Sequence, residues 1–531
     1  MHLQSARDVY YRFTLHYKKE NLVVERNLGD FLFVIQTIFP QKSARSLYKS
    51  IDFCMFAKVK TLIMKHISLF IFCVLFLTDT AVARKVTGEV TCDGKGLSKV
   101  VVTDGESFTA TAANGKFSFD IDDDAEFVYI VTPSGYVADW SKGSPEFYKK
   151  AKGNDYFSFE LARTGNGNKE YNIIAVSDPQ PRSDEHFDEF IGKPLEDLRR
   201  TAASLSGQSV GIVLGDICFD VLPLMQRWKN DIVRAGIPFY PVAGNHDHDR
   251  AFNDDKLSIH EYHRLFGPAN YAFFLGSDLV IVLDNIIYHS RSGYEEGYTD
   301  AIIDWVEALM KYVPKKADIY LAQHASLNVK EKELVNDANN AKMLKILEGH
   351  NVNIISGHTH INGNFQCSPK VFEHNVATIC GTWWDTYHCN DGTPRGYKVF
   401  NKKNGRLSWY YKSVDKDPDF QYEIFMPGEA PKHPQHLVVN IWDCDQKWKV
   451  EWVEDGKRKG QMEQVSELSP IHKAELEAKY APTGKKPKNY RRTIEATHYY
   501  AAKPSEGAKE ITIVIKNRFG KTWRETILLK K

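Results

Sequence analysis

Five apolar runs in the middle of the chain each end in a residue able to hold a metal ion. NIIAVS runs into Asp178-Pro179-Gln180, GIVLG into Asp216, PFYPVAG into Asn245-His246-Asp247, DIYLAQ into His324, and VNIISG into His358-Thr359-His360. Each run is short and nearly continuous in its apolar character, the pattern of a strand buried on both faces. Amphipathic segments separate them, and that alternation predicts an α/β layered domain. In open α/β sheets, ligands gather beyond the carboxyl ends of the strands. One Gly-Asp after a strand is usually a turn. Five ligand-bearing strand ends in succession instead point to a shared site at one sheet edge.

Composition narrows what surrounds that domain. The 531 residues carry 69 Lys+Arg against 68 Asp+Glu, and 43% are hydrophobic. So balanced a chain is neither a polyelectrolyte binder of nucleic acid nor a disordered tail, and no specific nucleic-acid partner is indicated. Met64-Lys65-His66 precedes an apolar run, Ile67 to Leu77, and then Ala81-Val82-Ala83. A basic start, a short apolar core and an A-x-A site spell a secretory signal peptide. The run is too short to span a bilayer, which needs about twenty residues. The expectation is an extension over 1–63, a signal over 64–83 and a mature chain from near Arg84 with no transmembrane segment, secreted or periplasmic. The alternative is an internal anchor behind a cytoplasmic segment.

Residues 84–162 read as a small β domain, with strand-like runs separated by Asp-Gly, Asn-Gly and Ser-Gly turns. Their phrasing, VVVTDG and then ANGKFSFDI, resembles carboxypeptidase-regulatory-like β-sandwich modules. A polar Gly-rich linker, 163–169, leads to the central domain over 171–422. Residues 423–531 return to strand-like runs with one helical stretch, Pro470 to Lys479, and read as a β-sandwich-like domain. From Ile471 onward there are 15 Lys/Arg and six Asp/Glu, a face for an anionic envelope polymer or simply a solvated one. Six cysteines follow the signal segment, three of them within Cys367 to Cys389, where one local disulfide is expected if the compartment is oxidising.

The motif set D-x-Q, GD, GNHD, a lone His and GHTH resembles the calcineurin-like metallophosphoesterase family, with β modules before and after as in secreted bacterial members. The resemblance implies a core of two β-sheets flanked by helices. It implies two divalent metal ions, with Mn favoured over Mg, Fe or Zn. Asp216 would bridge them, Asp178, Gln180 and His360 would complete the first site, and Asn245, His324 and His358 the second. A bridging hydroxide would attack phosphorus, with His246 as general acid beside the metals.

Some positions depart from the family pattern. Gln180 stands where most members have His, and its amide oxygen is a harder ligand than imidazole. The second Asp that usually orients the catalytic His is displaced, leaving Asp220 and Asp247 as alternatives. Beyond the last motif, Trp383, Trp384 and Tyr387 are read as an apolar wall for a leaving group, the alternative being that one Trp packs on the C-terminal domain and the other is exposed. The expected substrate is a phosphomonoester or phosphodiester of a small molecule or envelope component. A protein phosphatase is disfavoured, because Cys218-Phe219-Asp220 replaces the Asp-Arg segment of that branch. A non-catalytic envelope-binding protein with a structural metal is disfavoured by an open, paired ligand set.

Overall fold

The computed structural model describes residues 83–165, 170–290, 293–327 and 338–529. The expected extension lies outside them, as does the expected signal segment save its final Ala83. Two facing sheets form the central domain. The first is built from β1 (Glu170–Val176), β2 (Gln208–Val213) and β3 (Phe239–Pro241), which run parallel. The second contains β4 (Tyr271–Leu275), β5 (Asp278–Val282), β6 (Ile319–Ala322), β7 (Val352–Ser356), β8 (Gly363–Ser368) and β9 (Val371–Asn375). The hairpin β10 (Gly396–Lys403) and β11 (Arg406–Ser413) returns to the first sheet antiparallel to β1. The strand orders are β3-β2-β1-β10-β11 and β4-β5-β6-β7-β9-β8.

Side-chain alternation explains why the layers stack. In β1, Ile173 and Ala175 join the core that also holds Val280, Leu321 and Ile354 of the second sheet. Ile174 and Val176 point the other way, into a separate core with Phe187, Leu198 and Trp228. Those three come from α1 (Asp184–Gly192), α2 (Pro194–Ser204) and α3 (Pro223–Ile232). Ser183 caps α1, its hydroxyl accepting from the His186 amide, and Asp184 and Glu185 complement the helix dipole in the first turn. Proline at the start of α2 and α3 needs no amide partner there.

Before the core, two sheets of short strands make an all-β region from Ala83 to Arg163. It packs directly on the second sheet: the Phe274 amide donates to Thr132 O at 2.9 Å, and Phe147 lies 4.6 Å from Tyr271 between ring centroids. After the core, two four-stranded sheets enclose Leu437, Val439 and Ile441 with Ile511, Ile513 and Ile515. Helix α4 (Pro470–Tyr480) interrupts the strands of this β-rich region.

Buried polar contacts dock the C-terminal region onto the core. Asn362 Nδ2 donates to Trp442 O at 2.7 Å, and Asn364 Nδ2 to Asp443 Oδ1 at 2.9 Å. Lys398 Nζ lies 2.9 Å from Asp443 Oδ1, with both side chains almost fully buried. His388 sits between Glu475 and Glu423, at 2.9 and 3.3 Å. Buried charge of this kind is tolerated only when paired. Among the described residues no helix is long and apolar enough to cross a membrane.

The expected local disulfide is absent from the structure, where all six described cysteines are free thiols. Cys380 and Cys389 both turn toward Thr378 Oγ1, at 3.4 and 3.7 Å, while Cys367 faces Phe365 O.

Candidate metal centre

Both sheets end at one edge, and the loops leaving β1, β2, β3, β6 and β7 bring the predicted ligands together there. Asp216, His324 and His358 offer ligand atoms that all lie within 4.8 Å of one another. His324 Nε2 is 3.3 Å from Asp216 Oδ1 and 3.0 Å from Asn245 Oδ1. On the other side, Gln180 Nε2 is 2.5 Å from Asp216 Oδ2, and His360 Nε2 is 3.3 Å from Asp178 Oδ1. Asp216 therefore presents one oxygen to each half of the cluster.

The backbone is bent to achieve this. Asp178, Gln180, Asp216, His358 and His360 all have φ between 43° and 67°, the left-handed region that side chains other than glycine rarely occupy. Such strain costs on the order of 1–3 kcal/mol per residue and collects at functional sites. Close approach demands glycine beside two of them. A Cβ on Gly215, itself at φ +84°, would lie 2.5 Å from His324 Nδ1, and one on Gly357 would lie 2.1 Å from Ser177 Oγ.

The donor set fits a cation. His324 Nδ1 donates to Leu214 O at 2.7 Å, so its Nε2 carries a lone pair. His358 Nε2 donates to Glu296 Oε1 at 3.2 Å, so its Nδ1 does too. These two nitrogens are 3.0 Å apart, with Asn245 Oδ1 and Asp216 Oδ1 beside them. In those tautomers four acceptors converge, an arrangement a positive ion relieves in place of the proton that Glu296 and Asp216, overcoming burial, favour on His358. Burial pushes the His324 pKa down, which keeps the ring neutral for ligation. Burial opposes ionisation of Asp178, but the adjacent His360 ring outweighs it and holds the carboxyl well below the usual range. The Gln180 amide has its nitrogen toward the carboxylates and Oε1 buried without a partner, so ligation through oxygen requires half a turn of the amide.

His246 stands beside this cluster. Its backbone amide donates to Asp216 Oδ1 at 2.9 Å, and its Nδ1 donates to Asp220 Oδ1 at 2.7 Å. Burial disfavours the charged ring, yet Asp216 and the Asp220 hydrogen bond more than offset it and raise the pKa. Arg250 Nε holds the same Asp220 oxygen at 2.9 Å. Asp247, the other carboxylate considered for this part, is committed elsewhere: it accepts from the amides of Ile217, Cys218 and Gly244 at 3.0–3.2 Å.

The three residues read as an apolar wall separate. Trp383 packs on His360, ring centroids 4.4 Å apart, and meets Tyr490 of the C-terminal region at 5.0 Å. Trp384 instead joins the helix-side core, 6% exposed, and its indole donates to Pro179 O at 3.0 Å. Tyr387 donates its hydroxyl to Val414 O at 2.7 Å. Left-handed φ values at both tryptophans, 48° and 66°, turn the chain so sharply that the adjacent indoles meet different neighbours. Of the three, Trp383 alone packs against a predicted ligand. Glu296, and Arg182 with its guanidinium 4.4 Å over the Phe219 ring, were not anticipated. Glu296 lies on a hairpin whose sequence carries no ligand pattern, whereas Arg182 follows Asp178-Pro-Gln180 by two residues and could have been suspected from that place.

Comparison with known proteins gives three family-model matches in consecutive order. Residues 84–164 match the N terminal of calcineurin-like phosphoesterase, 171–362 match calcineurin-like phosphoesterase, and 373–523 match the C terminal of calcineurin-like phosphoesterase. No curated protein gives a significant match. Among solved structures, a dimetal phosphatase from Danio rerio is 11% identical, over 46% of this chain and 96% of that one, with a TM-score of 0.33. A 5'-nucleotidase from Candida albicans SC5314 is 12% identical, over 47% of this chain and 53% of that one, with a TM-score of 0.31.

Proposed function

Because the chain belongs to the calcineurin-like phosphoesterase family, we propose that it is a metal-dependent hydrolase of phosphate esters whose site is the cluster around Asp216. The observation that carries this reading is the convergence of two imidazole nitrogens, an amide oxygen and a carboxylate at 3.0–3.3 Å. Asp178, Gln180, Asp216 and His360 would hold one divalent ion, and Asp216, Asn245, His324 and His358 a second. When bound, two such ions neutralise phosphoryl oxygens and acidify water for attack. Asp216 can serve both ions because its two oxygens already face opposite halves of the cluster.

His246 is the proton donor to the leaving group in this proposal. Asp220 fixes its Nδ1, which leaves Nε2 free to reach the departing oxygen. Phe219 stacks on the ring at 4.0 Å and limits its rotation. Manganese is the proposed metal, since oxygen donors from Gln180, Asn245 and two carboxylates outweigh soft ligands. The proposed substrate is a phosphomonoester or phosphodiester of a small molecule or envelope component. Export by the 64–83 segment is part of the proposal and rests on sequence.

Purified protein should hydrolyse p-nitrophenyl phosphate or bis-p-nitrophenyl phosphate with added Mn and lose that activity to a chelator. No turnover of either ester with Mn, Mg, Zn or Fe(II) would overturn the reading.

A further inference from the structure

The hairpin that supplies Glu296, made of Ile286–Ser290 and Gly293–Glu296, sorts its side chains onto two faces. The outer face carries His289 and Glu295, an exposed ion pair at 3.1 Å. The inner face carries Ile286, Tyr288, Tyr294 and Glu296. They oppose one another across the strands, Ile286 with Glu296 and Tyr288 with Tyr294. Two of these side chains fix the hairpin to the loops that bear the ligands. Tyr288 stacks on His248, ring centroids 5.1 Å apart and planes within 9°, and His248 Nδ1 donates to Gly244 O at 3.0 Å. Glu296 accepts from His358 Nε2 at 3.2 Å.

Tyr294 shares that inner face, and its ring meets His358 edge-on, 6.1 Å between centroids and 80° between planes. Tyr294 and Glu296, two residues apart on one strand, therefore both contact a single imidazole of the cluster. Unlike Tyr288 opposite it, which is 4% exposed, Tyr294 is 37% exposed and fills no core. Its hydroxyl has no hydrogen-bond partner among the described residues. Burial, then Glu296, then Asp216 and Asp178 push its pKa up to about 12, so the hydroxyl lies in the field of both halves of the cluster. A half-exposed phenol with an uncommitted O–H thus borders the open side of the centre.

We propose that the Tyr294 hydroxyl donates a hydrogen bond to a non-bridging oxygen of the phosphoryl group held at this cluster. This deepens the phosphoesterase reading above and rests on it. The leaving oxygen already has its partner in His246, on the Asp220 side. The equatorial oxygens carry the charge of the transferring group, and a donor fixed in advance stabilises that charge without reorganising. Tyr294 makes and breaks no bond in this role, and its proton stays on the phenol.

Tyr294→Phe tests this, because it keeps the ring on His358 and removes only the hydroxyl. On an alkyl phosphate and on p-nitrophenyl phosphate alike, kcat/KM should fall by about 10–100-fold. Metal content should match wild type. Equal loss on the two esters marks a non-bridging contact, since they differ only in the leaving group. A loss smaller than about fivefold overturns the proposal. So does a loss concentrated on the alkyl ester, which places the hydroxyl on the leaving oxygen. Loss of metal also overturns it, by making the phenol a ligand. Should wild type hydrolyse neither ester, the phosphoesterase reading falls on that result alone. Calorimetric binding of inorganic phosphate to the Mn-loaded full chain then decides the hydroxyl separately. Affinity about tenfold weaker in Tyr294→Phe upholds it as a donor to phosphate oxygen, and equal affinity defeats it.

Discussion

The carboxylate of Asp220 receives Nδ1 of His246 at 2.7 Å and shares its oxygen with Arg250 at 2.9 Å. That pairing settles the ring's orientation before any substrate arrives, and it separates His246 in role from the histidines that face Asp216.

His246→Ala should retain close to two metal ions per chain while losing turnover. The loss should reach about 10²–10⁴-fold on an alkyl phosphate, whose leaving oxygen needs a proton, and be smaller on a nitrophenyl ester. Asp220→Asn should cost about tenfold with the same substrate bias. Metal analysis beside rates on both esters checks this, and loss of metal from His246→Ala would make the residue a ligand.

Asp216→Asn should abolish metal-dependent hydrolysis. A neutral amide cannot hold two cations against their mutual repulsion, and the expected loss is about a thousandfold, or roughly 4 kcal/mol of barrier. Activity within tenfold of wild type would argue against a paired site.

Glu296→Gln should weaken metal binding. Glu296 fixes the His358 tautomer by accepting from Nε2, which leaves Nδ1 unprotonated toward His324. Outer partners of this type typically contribute 10–100-fold in metal affinity. Competitive titration against a chromogenic chelator measures it, and unaltered affinity would show that His358 keeps its tautomer without help.

Docking of the C-terminal region should weaken in alkali. Burial disfavours protonated His388, but Glu423 and Glu475 prevail and push its pKa up to about 9. A group whose pKa is raised on folding contributes fully below its unfolded value, near 6.5, and that contribution disappears as pH rises through about 9. The amount at stake is about 3 kcal/mol. Thermal unfolding of wild type should lose stability across this window, while His388→Gln should start lower and change less.

The sheet edge was legible in the sequence because strand direction alone decides where residues after β1, β2, β3, β6 and β7 emerge. Which carboxylate serves His246 was not, since Asp220 and Asp247 are both near in sequence; the structure separates them through the three backbone amides that claim Asp247. Adjacent tryptophans read as one wall because sequence carries no φ values. Glu296 reaches the site by hairpin pairing and Tyr490 meets Trp383 by domain docking, neither of which a local pattern encodes.

The predicted ligands belong to two different layers: Asp178, Asp216 and Asn245 follow strands of the first sheet, His324, His358 and His360 those of the second. Ions seated among them would act as rivets through a seam, adding to the apolar packing and to the buried contacts of Tyr171 and Lys402 with Asp278 that already join the sheets. A chelator should then do more than silence the enzyme. It should let the sheet edges part, so that amides of both strand sets exchange with solvent together, ahead of the helices behind them.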